Sequence, residues 1–337
     1  MPKKTTMSDI AAKLGISTVT VSKALSGQKG VSEEMRQKII ALAEKTGYQK
    51  SFGVKQSENY KIGVLIGSRY LGNIDSFYGH MYQIFSVKAA KVGAFTMLEV
   101  LSVEDEENLV YPKIIGDGNV DAIVIMGTLS EKYLAMLDEK LETPTFYMDF
   151  TDRQHKKDSV ISGSFYGAHL LTNYLIDKGH RDIGYVGTLL ATPSITDRYL
   201  GYTRALMEHG IKVNDAWVLN DRDENNQVLD IEKNVKWPKG KIPTAFVCNC
   251  DLTASRFIGY LKNKGIRVPE DVSVVGYDDF VFANNTDVGI TTYKVDMDEM
   301  AKRILKKILK NLRGEQYRRG VSIVDGYLIE RDSVRSI

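Results

Sequence analysis

From Tyr60 onward, short apolar runs alternate with amphipathic stretches, and the alternation starts over once partway along. The runs at 61–67, 95–101, 120–127 and 143–150 read as strands, separated by helical stretches at 81–93, 106–118 and 131–140. A helix at 166–179 opens a second series, with strands at 181–187, 243–249 and 271–279 and helices at 197–210 and 254–265. Strand–helix alternation of this kind specifies parallel sheets covered by helices on both faces. Two such series in tandem predict two α/β lobes with a cleft outside the strand ends, where a small molecule can sit.

The first 59 residues are different. They carry ten Lys/Arg against five Asp/Glu, whereas residues 60–337 carry 35 against 38. A basic head on a mildly acidic body suits a head that meets a polyanion. Thr6 is placed to cap a first helix, with Asp9 in its opening turn and Gly15 at its end. Ser17 caps a second helix whose inward side is Val21, Ala24 and Leu25, and Ser26-Gly27 stops it. A third helix, capped by Ser32, adds Met35, Ile39, Leu42 and Ala43 to a small core and closes at Gly47. Two short helices joined by a tight glycine turn form a helix-turn-helix. The outward residues of the second helix are Thr18, Val19, Thr20, Ser22 and Lys23, none of them acidic. Hydroxyls can bond phosphates or base edges, a valine can touch a thymine methyl, and a lysine can reach guanine acceptors.

Motifs for catalysis are missing. No G-x-G-x-x-G follows a strand; Gly63-Val-Leu-Ile-Gly67 and Gly184-Tyr-Val-Gly187 have the wrong spacing for a pyrophosphate. There is no phosphate-binding G-x-x-x-x-G-K-[ST] and no G-x-S-x-G elbow. His80, His155, His169, His180 and His209 show no H-E-x-x-H spacing, and His180 reads as a helix-terminal cation. Cys248 and Cys250 stand too close for a normal disulfide and read as small strand hydrophobes. The expectation is a non-enzyme without metal or cofactor. The absence of an apolar leader or a membrane-length apolar run points to a cytoplasmic protein.

The stretch MSDIAAKLGISTVTVSKALSG, followed by VSEEMRQKIIALAEKTGY, resembles the DNA-binding head of the lactose-repressor (LacI/GalR) family of bacterial transcription regulators. The likeness runs without gaps from Thr6 to Tyr48 and continues into the body through IGVLI, DRYLGY, GHRDIGYVG, RVPEDVSVVGYDD, GITTYKVDMDEMA and the terminal ERDS. It implies an α/β protein: a three-helix head at 1–48, a hinge at 49–59, and a two-lobed sensor similar to periplasmic binding proteins at 60–337. The first lobe is then expected over about 60–155 and 291–320, the second over about 156–290 and 321–337.

By the same resemblance, Thr18, Val19 and Lys23 occupy base-reading positions, and Thr6, Ser17, Thr20, Ser22 and Ser26 position the head on phosphates. The family's hinge carries a leucine that wedges into the minor groove. This chain has none at 49–59, leaving Phe52 and Val54 as the candidate wedges beside a helix-disfavouring Gly53. In the sensor, Asp149, Arg198 and Asp278 match ligand positions, Phe77 and Tyr78 an aromatic wall, and Met126 and Cys250 two lining positions that are often asparagine. Structural roles are open to the same residues: a loop cap for Asp278, a surface ion pair for Arg198, core packing for Phe77 and Tyr78. The implied partners are double-stranded operator DNA, a second copy of the chain and a small polar effector, a sugar first. The alternative is a cleft that docks a partner protein or a non-sugar metabolite.

Overall fold

The computed structural model describes residues 7–25, 30–46, 59–71, 76–116, 120–152, 154, 156–223, 229, 231, 240–280 and 287–337. It divides into two compact units, Met1–Asn59 and Tyr60–Ile337.

In the first unit, α1 (Met7–Leu14), α2 (Thr18–Leu25) and α3 (Glu33–Lys45) enclose Ile10, Ala11, Val21, Ala24, Ile39 and Ala43. Leu14, Met35 and Leu42 pack at the edge of that core. The caps follow local sequence: Ser17 Oγ accepts the Thr20 N–H at 3.1 Å, and Ser32 Oγ accepts the Met35 N–H at 3.4 Å. Thr6, Ser26, Gly47, Phe52 and Val54 lie outside the described residues.

The second unit opens with β1 (Lys61–Gly67), α4 (Phe77–Lys91) and β2 (Phe95–Leu101), followed by two short helices, α5 (Val103–Glu107) and α6 (Lys113–Gly116). Then come β3 (Ala122–Met126), α7 (Glu131–Lys140), β4 (Thr145–Met148) and β5 (Asp158–Ser162). The second lobe brings α8 (Ser164–Asp177), β6 (Ile183–Val186), α9 (Pro193–Glu208), β7 (Val218–Leu219), β8 (Ala245–Cys248), α10 (Asp251–Asn263) and β9 (Ser273–Val275). The chain ends through β10 (Thr292–Lys294), α11 (Met297–Leu312), β11 (Val321–Val324) and β12 (Tyr327–Ile329).

One sheet runs β11-β5-β4-β3-β1-β2 and the other β7-β6-β8-β9, all parallel. β1 is buried on both faces, as a helix-covered parallel strand must be: Ile62, Val64 and Ile66 join one core and Leu65 the other. β10 and β12 form an antiparallel pair, and the bridges Val275↔Thr291 and Asp278↔Lys294 tie β10 to the segment after β9.

The lobe boundaries fall later than the sequence suggests. β5 continues the first sheet and β11 adds to its outer edge, so 156–162 and 321–324 belong to the first lobe, not the second. The cause is Asp158, which accepts from Tyr317 OH at 2.8 Å, from the Gly320 N–H at 2.5 Å and from Lys307 Nζ at 3.3 Å. Those bonds clamp α11 and the start of β11 onto β5. Beyond β12 the chain does return to the second lobe: Ser333 Oγ donates to Val274 O at 2.6 Å, and the Ile337 N–H donates to Lys178 O at 2.9 Å. His180 holds that tail, with Nδ1 2.9 Å from Thr244 Oγ1 and Nε2 3.1 Å from Arg335 O. Burial lowers its pKa, so it is a neutral bridge here and not the expected helix-terminal cation.

Candidate DNA-reading helix and effector cleft

On α2, Val21 and Ala24 face inward, which turns Thr18, Val19 and Lys23 out to solvent and leaves Thr20 and Ser22 half-buried. Val19 is 60% exposed although it is apolar and sits on a short amphipathic helix. Packing gives no reason for a valine there. The Ser17 and Thr20 hydroxyls are bonded to each other at 2.9 Å, which fixes two phosphate-competent groups at the start of the helix. The first turn of α2 holds no acid, so its positive dipole end is uncompensated and suited to a phosphate.

The second site gathers side chains that are distant in sequence. Asp149 follows β4 with φ +66°, a left-handed conformation that a short polar residue tolerates best. Its N–H donates to Val160 O at 2.8 Å, and its Oδ2 accepts from Tyr78 OH at 2.8 Å. Asp149 is 8% exposed and Arg198 7%. Arg198, on α9, donates from Nη1 to Asn249 O at 2.7 Å and lies with its guanidinium carbon 3.8 Å from the centre of the Tyr277 ring. Its Nε has no hydrogen-bond partner, nor do Tyr277 OH and Asn249 Oδ1, all of them buried.

Asp278 lies at φ +100° just past β9, where the chain bridges to β10. Burial raises the Asp149 carboxyl above its usual range, with Arg198 and Tyr78 OH pulling the other way. Burial and the Asp251 charge push Asp278 well up, again against Arg198. Burial opposes the Arg198 charge, but Tyr277, Asp149 and Asp278 outweigh it and raise the guanidinium pKa.

Phe77 meets Phe280 edge-on at 6.1 Å and Tyr78 at 5.3 Å; Tyr78 in turn packs on Tyr70 at 4.7 Å. Cys250 caps α10, its Sγ accepting the Thr253 N–H at 3.4 Å, and burial pushes its thiol up to about 11. Met126 stands apart: it is fully buried in the first-lobe core and offers the cleft no surface. A groove of about 770 Å³ is lined by Thr128, Phe150, Asp152, Thr192, Pro193 and Asp197 among others, and by none of the residues expected to hold the effector.

Sequence reading missed Asn249, Tyr277, Asp251 and Asp221. Asp221 is fully buried and accepts from the Thr188 N–H at 2.9 Å, Asn249 Nδ2 at 2.7 Å and Thr253 Oγ1 at 2.8 Å. It sets the loop that carries Asn249 O, and so sets Arg198. Tyr277 and Asn249 each adjoin a residue that was singled out, and that adjacency was the available signal. Asp221 offered none. Among the described residues, no group of three His, Cys, Asp or Glu could hold a metal, and no helix is long and apolar enough to cross a membrane.

Residues 6–51 match the model for bacterial regulatory proteins, lacI family, and residues 172–334 match a periplasmic binding protein-like domain. Among curated proteins, the HTH-type transcriptional repressor PurR of Vibrio cholerae serotype O1 is 27% identical over 334 residues, covering 98% of each chain. PurR of Vibrio vulnificus is also 27% identical, over 98% of this chain and 99% of its own. Among solved structures, the lac repressor dimer bound to operator and the anti-inducer ONPF superposes with a TM-score of 0.67 at 22% identity, covering 99% of this chain and all 100% of its own. A complex of the transcriptional regulator CelR with cellobiose gives 0.68 at 22% identity, over 98% and 100%.

Proposed function

We propose that this chain, which carries a lacI-family DNA-binding domain ahead of a periplasmic binding protein-like domain, is a cytoplasmic, homodimeric repressor whose grip on an operator is set by a small polar effector. The head residues Thr18, Val19 and Lys23 read base edges, with Ser17, Thr20 and Ser22 on phosphates; Thr6 and Ser26 extend that set, and Phe52 or Val54 serves as the hinge wedge. The effector sits at Tyr78, Asp149, Arg198 and Asp278, against Phe77, with Cys250 at the rim and Met126 behind the wall. The observation that carries this reading is Arg198, a buried cation with an unpartnered Nε between two acids and over an aromatic face. Paired acids, a guanidinium and aromatic walls together suit a ring that is hydroxylated at its edge and apolar on its face, hence a sugar. The CelR neighbour, solved with cellobiose, supports that class. Methionine and cysteine at positions that could have carried amides favour a second reading, a less hydroxylated metabolite.

Association into a dimer has a candidate surface. β2 is the edge strand of its sheet, with Phe95 62%, Leu98 36% and Val100 45% exposed. Val87 of α4 is also exposed and adjoins Ser86, which bonds Thr96 of β2. An apolar open edge of this kind calls for a cover. Two copies would present two recognition helices to half-sites about one helical turn apart. An effector that binds one lobe arrangement better than another shifts that equilibrium by its differential affinity and so alters operator binding. No step of this scheme needs a reaction, and the curated relatives are repressors. Calorimetry with a panel of mono- and disaccharides and purines tests the reading. Binding of a sugar, abolished in Arg198→Ala, is expected; binding of purines alone would move the effector to another class.

A further inference from the structure

Asp251, the first residue of α10, is 1% exposed, and its N–H donates to Tyr277 O at 2.8 Å. Its Oδ2 accepts the Phe280 N–H at 3.1 Å, and the same N–H lies 3.1 Å from Asp278 Oδ1. Two carboxylates, one buried and one half-buried, therefore share a single backbone donor. Asp251 Oδ1 is buried without a hydrogen-bond partner, packed so tightly on Gly276 that a Cβ at 276 would collide with it. An acceptor left in that position calls for a proton.

The charges around the pair point the same way. Asp279, the next acid, is matched by Arg331 Nη2 at 2.5 Å and Lys294 Nζ at 3.2 Å. Arg198 is the cation that faces Asp149 and Asp278, while Arg331 acts on Asp251 as well as on Asp279. The Thr292 hydroxyl, on β10, favours the Asp251 carboxylate but burial outweighs it, and Cys250 is held as a thiol. Asp149, Asp278, Asp251 and Asp279 against Arg198, Arg331 and Lys294 leave one excess negative charge if all ionise. Like-charged carboxyls at one site do not both ionise readily.

We propose that Asp251 is a positioning residue of the effector cleft: coupled to Asp278 through the shared Phe280 N–H, it keeps one proton on the pair, so that Asp278 can donate a hydrogen bond to the effector as well as accept one. The proposal rests on the reading of Asp278 as an effector contact only for its last clause. Burial raises both carboxyls, helped by Asp279 at Asp251 and by Asp251 at Asp278, in keeping with a retained proton. A donor at Asp278 selects an effector with an acceptor in reach, such as a ring or glycosidic oxygen, and a neutral effector over a cationic one.

Infrared difference spectra of the full-length protein between pH 5.5 and 8.5, without effector or DNA, read the protonated carboxyl stretch directly. The wild type is expected to lose one such band across that range. Asp251→Asn should shift the midpoint for Asp278 down by at least about one unit, ten-fold in proton affinity. A wild type with no protonated carboxyl band anywhere above pH 5.5 would overturn the proposal, whether or not the variant folds. Asp251→Asn that folds and leaves the midpoint in place would overturn it too. Neither result bears on which molecule the cleft binds.

Discussion

The head and the sensor body place their functional side chains in opposite surroundings. On α2, the residues assigned to DNA stand outside a core that is complete without them; Val19 is 60% exposed. In the body, Arg198 at 7% exposed and Asp149 at 8% are part of the packing that holds two lobes together. A surface that reads a rigid duplex can leave its readers in water until the duplex arrives. A cleft that must respond to a small molecule has to build its ligand contacts into the joint that moves. Mutations should therefore separate function from stability in the head and entangle them in the body.

The largest effect expected is for Arg198→Ala. It leaves Asn249 O without its charged donor and takes the guanidinium off the Tyr277 face, and a hydrogen bond to a charged group is worth about 1.5–3 kcal/mol. Calorimetric unfolding should show the body transition lowered, with effector binding lost. An unchanged body transition would break the contrast. Next, Lys23→Ala should cost about 1–3 kcal/mol of specific DNA affinity and relax preference at one base position. Its unfolding midpoint should stay within about 0.5 kcal/mol of wild type, since the side chain stands exposed on α2.

A third variant, Val100→Lys on β2, sharpens the picture at the exposed edge. It should raise the dimer dissociation constant in sedimentation by about ten-fold, equivalent to about 1.4 kcal/mol. A dimer unmoved by that charge would place the self-association face elsewhere.

The smallest effect is electrostatic. Asp251, Asp278 and Asp149 have folded pKa values above their unfolded ones, so the stability linked to them is present at low pH and lost as pH rises through the folded values. His180 has the opposite shift and opposes this below its unfolded value of about 6.5. Between pH 8 and 6.5, therefore, acidification should stabilise the body by on the order of 1 kcal/mol. In the head, Glu34 is lowered by its bond to Lys38 and moves nothing in that window. Chemical denaturation at the two pH values checks the sign.

The same contrast explains what could be read from the sequence. The head was legible almost to the residue because its determinants are local: Ser17 and Ser32 cap helices three residues away, and Val21 and Ala24 lie one turn apart. The strands of the body were legible as apolar runs, β1 and β2 to the residue and the others with ends trimmed by one to four residues. β5 was not: Asp-Ser-Val-Ile-Ser is short and mostly polar, and its place depends on Asp158 reaching Lys307 and Tyr317 across some 150 residues. That long-range clamp is also why the lobe boundaries were expected too early. In the cleft, Arg198 and the two acids stood out through family likeness, whereas Asp221 and Asp251 act on those side chains through neighbours that no spacing reveals. Met126 shows the converse, a position that resembles a lining residue and packs into the core.

A head with readers outside its core should recognise a specific, two-fold DNA site. Selection of the full-length protein on random duplex, followed by anisotropy titration of the winning site at fixed salt, tests this directly. An enriched palindrome with half-sites about one turn apart is expected, bound at least about ten-fold more weakly by Lys23→Ala while non-specific duplex is bound nearly as before. No enriched palindrome, or a Lys23→Ala variant that binds the selected site as wild type does, would contradict it.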